Sequence, residues 1–268
     1  MTARLWTRDE LLVAINLSCR TPFDKLHRRN RDTIALAGQI GRSPGAVAMK
    51  LAAFAGLDAA LKARNIKGRT NFSKRDLEVW EEFCSNWEKL AYESQKTWLR
   101  FQDRYALPTA IAEAQYVLPS GETETQRLTR VRLVQGFFRD ATLANYEFKC
   151  AFCALNVLAL LSASHIIPWK DDVKRRADPT NGLCLCALHD RAFDRGLLGL
   201  DKNHRILVSP ALKTKSPSRI HQAALLEIEG APMLRPRRFQ PDQAAIEFHR
   251  STIFRAGGSD FEGLQSYS

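Results

Sequence analysis

No apolar run in this 268-residue chain reaches the roughly eighteen residues a membrane-crossing helix needs. The apolar segment LNVLALLSASHII is shorter and is interrupted by Ser162, Ser164 and His165, so no membrane partner is expected. Cysteine is scarce: six scattered residues exclude the dense disulfide framework of small secreted domains. With no secretory leader recognised, a cytoplasmic protein is expected. Internal repeats and long low-complexity runs are missing, which excludes solenoids and fibrous arrays. Acidic charge is in deficit as well. Aspartate and glutamate total 29 against 40 lysines and arginines, a formal net charge of +11. Such a balance attracts a polyanion and makes its binding salt dependent. Hydrophobic content of 45% suffices for about two domains with cores of their own.

The N-terminal part reads as helical. WTRDELLVAINL opens with Thr7 three residues before Glu10, and TNFSKRDLEVW carries Ser73 three before Asp76; both spacings predict capping boxes. Trp80, Phe83 and Trp87 fall on one face of the second of these segments. Between them, RDTIALAGQIGRSPGAVAMKLAAF predicts a helix-turn-helix. Ile34, Leu36, Ala37 and Ile40 form the first stripe, Gly41 the bend, and Ser43 with Pro44 the start of the second helix. Ala46, Val47, Leu51 and Phe54 carry the second stripe. In such units the start of the second helix enters the major groove, so Arg42, Ser43, Ala46 and Lys50 are the expected DNA contacts. A helical hairpin that only packs is the alternative. KARNIKGRT (62–70) is a basic loop and LPSGETETQ (118–126) a polar linker. The predicted organisation is therefore a helical DNA-binding domain at 1–92, a helical and polar linker at 93–128, and a second domain at 129–268.

The second domain holds the chemistry. From Cys150 to Asp194 the order is His165 after an apolar run, Asn181 beside Gly182, and His189 opening a short polar helix. LNVLALLSASHII predicts a strand ended by Pro168, LCLCAL a buried strand, and LHDRAFDRG a helix closed by Gly196. Hydrolysis of a phosphodiester requires a base for the attacking water and positive charge for the transition state. A neutral imidazole serves as base near pH 7 and a divalent cation as Lewis acid. His165 is assigned as base and His189 as metal ligand. Asn181, which can both donate and accept, is assigned to fix the hairpin, with its oxygen as a further ligand candidate. Beyond the site, RILVS (205–209) predicts a strand, LLEIEGAPM a hairpin-like pair, and PDQAAIEFHRSTIF a closing helix.

The words SHIIPW (164–169), NGLCLCALHDRAFDRG (181–196) and, upstream, RVRLVQGFFRD (130–140) resemble the HNH nuclease family. ANYEFKCAFC (144–153) and FHRSTIF (248–254) extend the likeness over roughly the C-terminal half. The resemblance implies a ββα-metal fold, hence an α+β chain, and a DNA endonuclease of restriction type using Mg²⁺ or Mn²⁺ on double-stranded DNA. One departure stands out. Relatives commonly carry Asp or His just before the base, whereas this chain has Ser164, a weak ligand for a hard cation. That departure gives some weight to a second class, a DNA-binding regulator with an inactive nuclease-derived domain. Asp194 is read as a helix-end acceptor, because five positions separate it from His189.

Cys150 and Cys153 form a C-x-x-C knuckle, and Cys184 and Cys186 share one face of a strand. Four thiolates there would make a structural Zn²⁺ site; reduced cysteines packed as small hydrophobes are the alternative. Cys19 and Cys84 are expected in the helical core. His27, His204, His221 and His249 are expected to be structural. With no methyltransferase region in the chain, an enzyme that cuts only DNA carrying modified cytosine would spare unmodified host DNA. Ala46, Ala48 and Met49 could then sense the 5-substituent. Double-strand cutting needs two active sites or two nicks, so a homodimer is compatible with the reading, though no coiled-coil pattern supports it.

Overall fold

A computed structural model describes residues 4–57, 72–103 and 124–257. The expected basic loop at 62–70 and most of the polar stretch at 118–126 lie outside the described residues. The chain divides into two compact units, one of residues 1–141 with 174–178, the other of 142–173 with 179–268. The division falls inside a helix, after Ala141.

The first unit is helical: α1 (Arg8–Arg20), α2 (Arg31–Ile40), α3 (Pro44–Leu57), α4 (Lys74–Ser85), α5 (Trp87–Asp103) and the first part of α6 (Glu124–Asn145). Both capping boxes form, Thr7 with Glu10 and Ser73 with Asp76. Helix α1 is buried along its whole length from Glu10 to Cys19 and packs on α3 and α5. Asn16 satisfies its buried amide on Ser94 at 2.8 Å, as a central helix must. The predicted bend is present. Gly41 adopts φ +64°, and its N–H and that of Arg42 return to the end of α2. Ser43 then caps α3 through the Ala46 N–H. Thr33, not Ile34, completes the buried stripe of α2; Ile34 is half exposed. Trp80 stacks on Phe54, and Phe83 and Trp87 pack on Phe137 of α6. Cys84 is exposed rather than in the core.

The second unit is built on an antiparallel hairpin, β1 (Leu161–His165) with β2 (Gly182–Cys186), followed by α7 (Ala187–Asp194). Strand β1 is shorter than predicted because Leu158–Leu160 forms a 3-10 turn with exposed leucines. A second hairpin pairs β3 (Leu198–Leu200) with β4 (Ile206–Val208). The predicted pair in LLEIEGAPM is corrected: Arg219–His221 and Gln222–Leu226 are helical turns, and extended pairing is limited to a bridge between Arg205 and Pro232. The closing helix starts as α8 (Gln243–Phe248) and ends in a wider turn, His249–Ile253. That turn lies against Gly196 and Gly199, where an added Cβ would collide with Ile253 and Phe254. The hairpin, α7 and the residues around β3 and β4 enclose one apolar core. The fold is α+β, and among the described residues the sheets lie in the C-terminal unit. Among the described residues no helix is long and apolar enough to cross a membrane.

Candidate active site and metal centre

His165 ends β1, opposite Gly182, and is half-buried with its ring edge-on to Trp169 at 5.6 Å. The next two residues are clamped by Asn181. Its backbone oxygen accepts from Ile166 N–H at 2.9 Å. Its side-chain Oδ1 accepts from Ile167 N–H at 2.8 Å, and Nδ2 donates to Ile167 O at 3.0 Å. The residue is 1% exposed, so both ends of the carboxamide are committed to holding the strand end that carries His165. This geometry matches the hairpin-fixing role. It corrects the ligand role, because the amide oxygen is directed at a backbone N–H.

His189 lies elsewhere in chemical terms. Its Nδ1 is 3.4 Å from Cys150 Sγ and 3.3 Å from Cys186 Sγ, and Cys153 Sγ is 4.0 Å from that of Cys186. These four ligand atoms all lie within 4.8 Å of one another. A tetrahedral zinc with bonds of about 2.0–2.3 Å places its ligands about 3.5–3.8 Å apart, so the cluster fits that ion. The tautomer fits as well. Nε2 is 2.8 Å from Ala224 O and must donate there, which leaves Nδ1 as a lone pair facing the thiols. Burial, reinforced by the neighbouring Cys150 and Cys186 thiols, pushes the Cys153 thiol up to about 12. Three thiolates crowded together need a cation to neutralise them.

The arrangement corrects the four-thiolate expectation: His189 takes the place given to Cys184. Cys184 is fully buried in the apolar core, with its backbone carbonyl accepting from Ala151 N–H at 2.6 Å. The signal that would have found this cluster was present. Cys186-Ala187-Leu188-His189 is a C-x-x-H knuckle with the spacing of Cys150–Cys153. The first knuckle is shaped by a φ of +60° at Ala154 and by Cys150 N–H bonding to Leu155 O.

On the other side of α7, burial and then Asp190 push the Asp194 carboxyl above its usual range, while Arg191, Arg195 and the Ser164 hydroxyl pull it back. Ser164 itself is buried, and its Oγ makes no hydrogen bond of ordinary geometry.

The expected DNA contacts of the first unit are partly withdrawn from solvent. Arg42 pairs with buried Glu10 at 2.8 Å, donates to Arg4 O and Leu5 O, and lies 4.1 Å over the Trp6 ring. Burial would raise Glu10, but Arg42, the Thr7 N–H and Arg4 outweigh it and hold the carboxyl low. Lys50 bonds both oxygens of buried Asp76 at 2.8 Å. This corrects the reading of Arg42 and Lys50 as groove-facing cations, since each neutralises a buried carboxylate. Ser43 is exposed and Ala46 partly so, beside an exposed Met49.

No curated protein matches the chain. Residues 150–201 match the family model described as HNH endonuclease. That span holds the zinc-type cluster, the hairpin with His165 and Asn181, and α7. The match lies on a β-hairpin followed by a helix, so residues 150–201 are similar to an HNH endonuclease domain.

Proposed function

We propose that the protein is a metal-dependent DNA endonuclease that hydrolyses phosphodiester bonds, with His165 as general base. The observation that carries this reading is the Asn181 clamp. It fixes the backbone immediately after His165 through three hydrogen bonds, as a base that must meet a water at a phosphate requires. Asn181 is a positioning residue in this scheme. A divalent cation, Mg²⁺ or Mn²⁺, supplies the charge stabilisation when bound. The Cys150, Cys153, Cys186 and His189 cluster takes Zn²⁺ in a structural role, holding the start of α7 to the N-terminal knuckle.

The finer reading is a restriction endonuclease acting on double-stranded DNA, with the helical unit as reader and cytosine modification as the recognised mark. The exposed start of α3, with Ser43, Ala46 and Met49, supports a groove-facing surface. An apolar groove bordered by Trp6, Ala46 and Met49 with Arg75 at its edge suits a 5-substituent. A homodimer would place two sites on the two strands.

The test uses full-length protein with Mg²⁺ or Mn²⁺ on two plasmids, one unmodified and one carrying modified cytosine. Cleavage of the modified plasmid alone is expected, and His165→Ala should lower its rate by at least about 100-fold with DNA affinity retained. Equal cleavage of both plasmids removes the modification reading, and a His165→Ala variant that cuts at more than a few per cent of the wild-type rate removes the base.

A further inference from the structure

We propose that the helical unit holds the phosphate backbone of DNA through the basic turn at residues 25–31, between α1 and α2, and not through Arg42 and Lys50. The identity of the polyanion rests on the endonuclease reading above. The segment KLHRRNR carries Lys25, Arg28, Arg29 and Arg31 within seven residues. A 3-10 turn at Phe23–Lys25 leads into it, and Leu26 is buried. The Asn30 N–H donates to His27 O at 3.0 Å, which closes a β-turn with Arg28 and Arg29 at its two central positions. Asn30 also caps α2, its Oδ1 accepting from the Asp32 and Thr33 N–H groups at 2.8 and 3.2 Å. Both arms of the turn are thereby fixed, so its arginines are presented on an ordered backbone, which lowers the entropy lost on binding.

Two observations set these cations apart. The first is that they are uncommitted. Arg4, Arg8, Arg20, Arg42, Arg100 and Arg130 of the same unit each pair with a carboxylate. Arg28, Arg29 and Arg31 are exposed and, among the described residues, their side chains form no ion pair or hydrogen bond. The second is their place. Three guanidinium groups crowd the N-terminal end of α2, where the helix dipole and their mutual repulsion both oppose them. Asp24 offsets Lys25 at 3.5 Å, and Asp32 is the acidic residue of the first turn of α2, so the turn stays net positive. A local arrangement that costs stability without a compensating contact within the fold marks a functional surface, and a polyanion supplies that contact. DNA fits because the planar guanidinium can bond two phosphate oxygens at once, and each neutralised phosphate releases counterions. Arg42 and Lys50 are unavailable for this while they neutralise buried Glu10 and Asp76.

The test measures DNA affinity against salt. Full-length protein, with no divalent metal added to the buffer, is titrated into labelled duplexes with and without modified cytosine at about 50 to 200 mM salt. A triple variant, Arg28→Ala with Arg29→Ala and Arg31→Ala, should lower the slope of log affinity against log salt by about 2–3. It should also weaken binding at least about tenfold at the low-salt end, equally for both duplexes. Its urea midpoint should match that of the wild type, since the three side chains hold nothing in the fold. Lysine at all three positions should restore most of the slope, because a phosphate contact reads charge. Removing Lys74, Lys89 and Lys96 together subtracts the same net charge from the same unit and should change the slope by less than about one. No DNA binding by the wild type, an unchanged slope in the arginine-to-alanine variant, no restoration by lysine, or an equal loss on removing the three lysines would each overturn the assignment. So would weakening confined to the modified duplex. DNA held through the turn by a protein that cuts no plasmid would leave the assignment standing and remove the endonuclease reading. Normal cutting by an arginine-to-alanine variant with unchanged slope would do the reverse.

Discussion

Acid should loosen the C-terminal unit through His249, a residue outside the proposed site. Its ring stacks on Phe193 of α7 at 3.7 Å and is 2% exposed. Nε2 lies 3.1 Å from Phe193 O and donates to it, while Nδ1 is buried with no partner. A proton added at Nδ1 would therefore create a charge with nothing to receive it. Burial accordingly lowers the imidazole from 6.5 to about 4, against a small upward pull from Phe193 O. The sign follows from linkage. Between these values the unfolded chain binds a proton that the native state refuses, so stability rises with pH across the window. The contribution is complete above pH 6.5, declines by about 1.4 kcal/mol per pH unit below it, and reaches a loss of about 3 kcal/mol near pH 4. Urea unfolding of the wild type and of His249→Gln, at intervals from pH 7 to pH 4.5, measures the difference. The variant cannot titrate at this position, so carboxylate and metal-ligand contributions common to both proteins cancel. The wild type should lose about 2–3 kcal/mol more than His249→Gln over that range. Parallel pH profiles would refute the reasoning and mean that the ring finds a proton acceptor when charged.

Two further outcomes bear on the metal centre and on the helical unit. If the cluster holds zinc as proposed, Cys153→Ser should release it, measured by metal analysis, and lower the thermal midpoint of the C-terminal unit; unchanged midpoints with and without chelator would mean that the thiols pack without a metal. Arg42→Ala should destabilise the helical unit by about 3 kcal/mol, the low end for stranding a buried carboxylate because Arg4 still reaches Glu10. The urea midpoint reads that loss. A stable Arg42→Ala protein with weakened DNA binding would instead restore the residue as a direct contact.

The residues that form local structure could be read from the chain because their physics is local. Capping boxes at Thr7 and Ser73, the left-handed Gly41, the hairpin around Asn181 and the Gly196 stop each depend on neighbours a few positions away. The order of His165, Asn181 and His189 and its family likeness were legible for the same reason. What the chain alone left open was which partner each polar group would meet. Arg42 and Lys50 are indistinguishable from groove-facing cations until Glu10 and Asp76, 32 and 26 positions away, fold against them. Cys184 and Cys186 share a strand face, but only Cys186 sits at the strand end where α7 begins and brings His189 round to the Cys150 knuckle. Tertiary structure therefore decided that His189 belongs with sulfur, because a ligand set is a matter of four atoms converging within a few ångströms. No pattern along one strand or one helix contains that convergence.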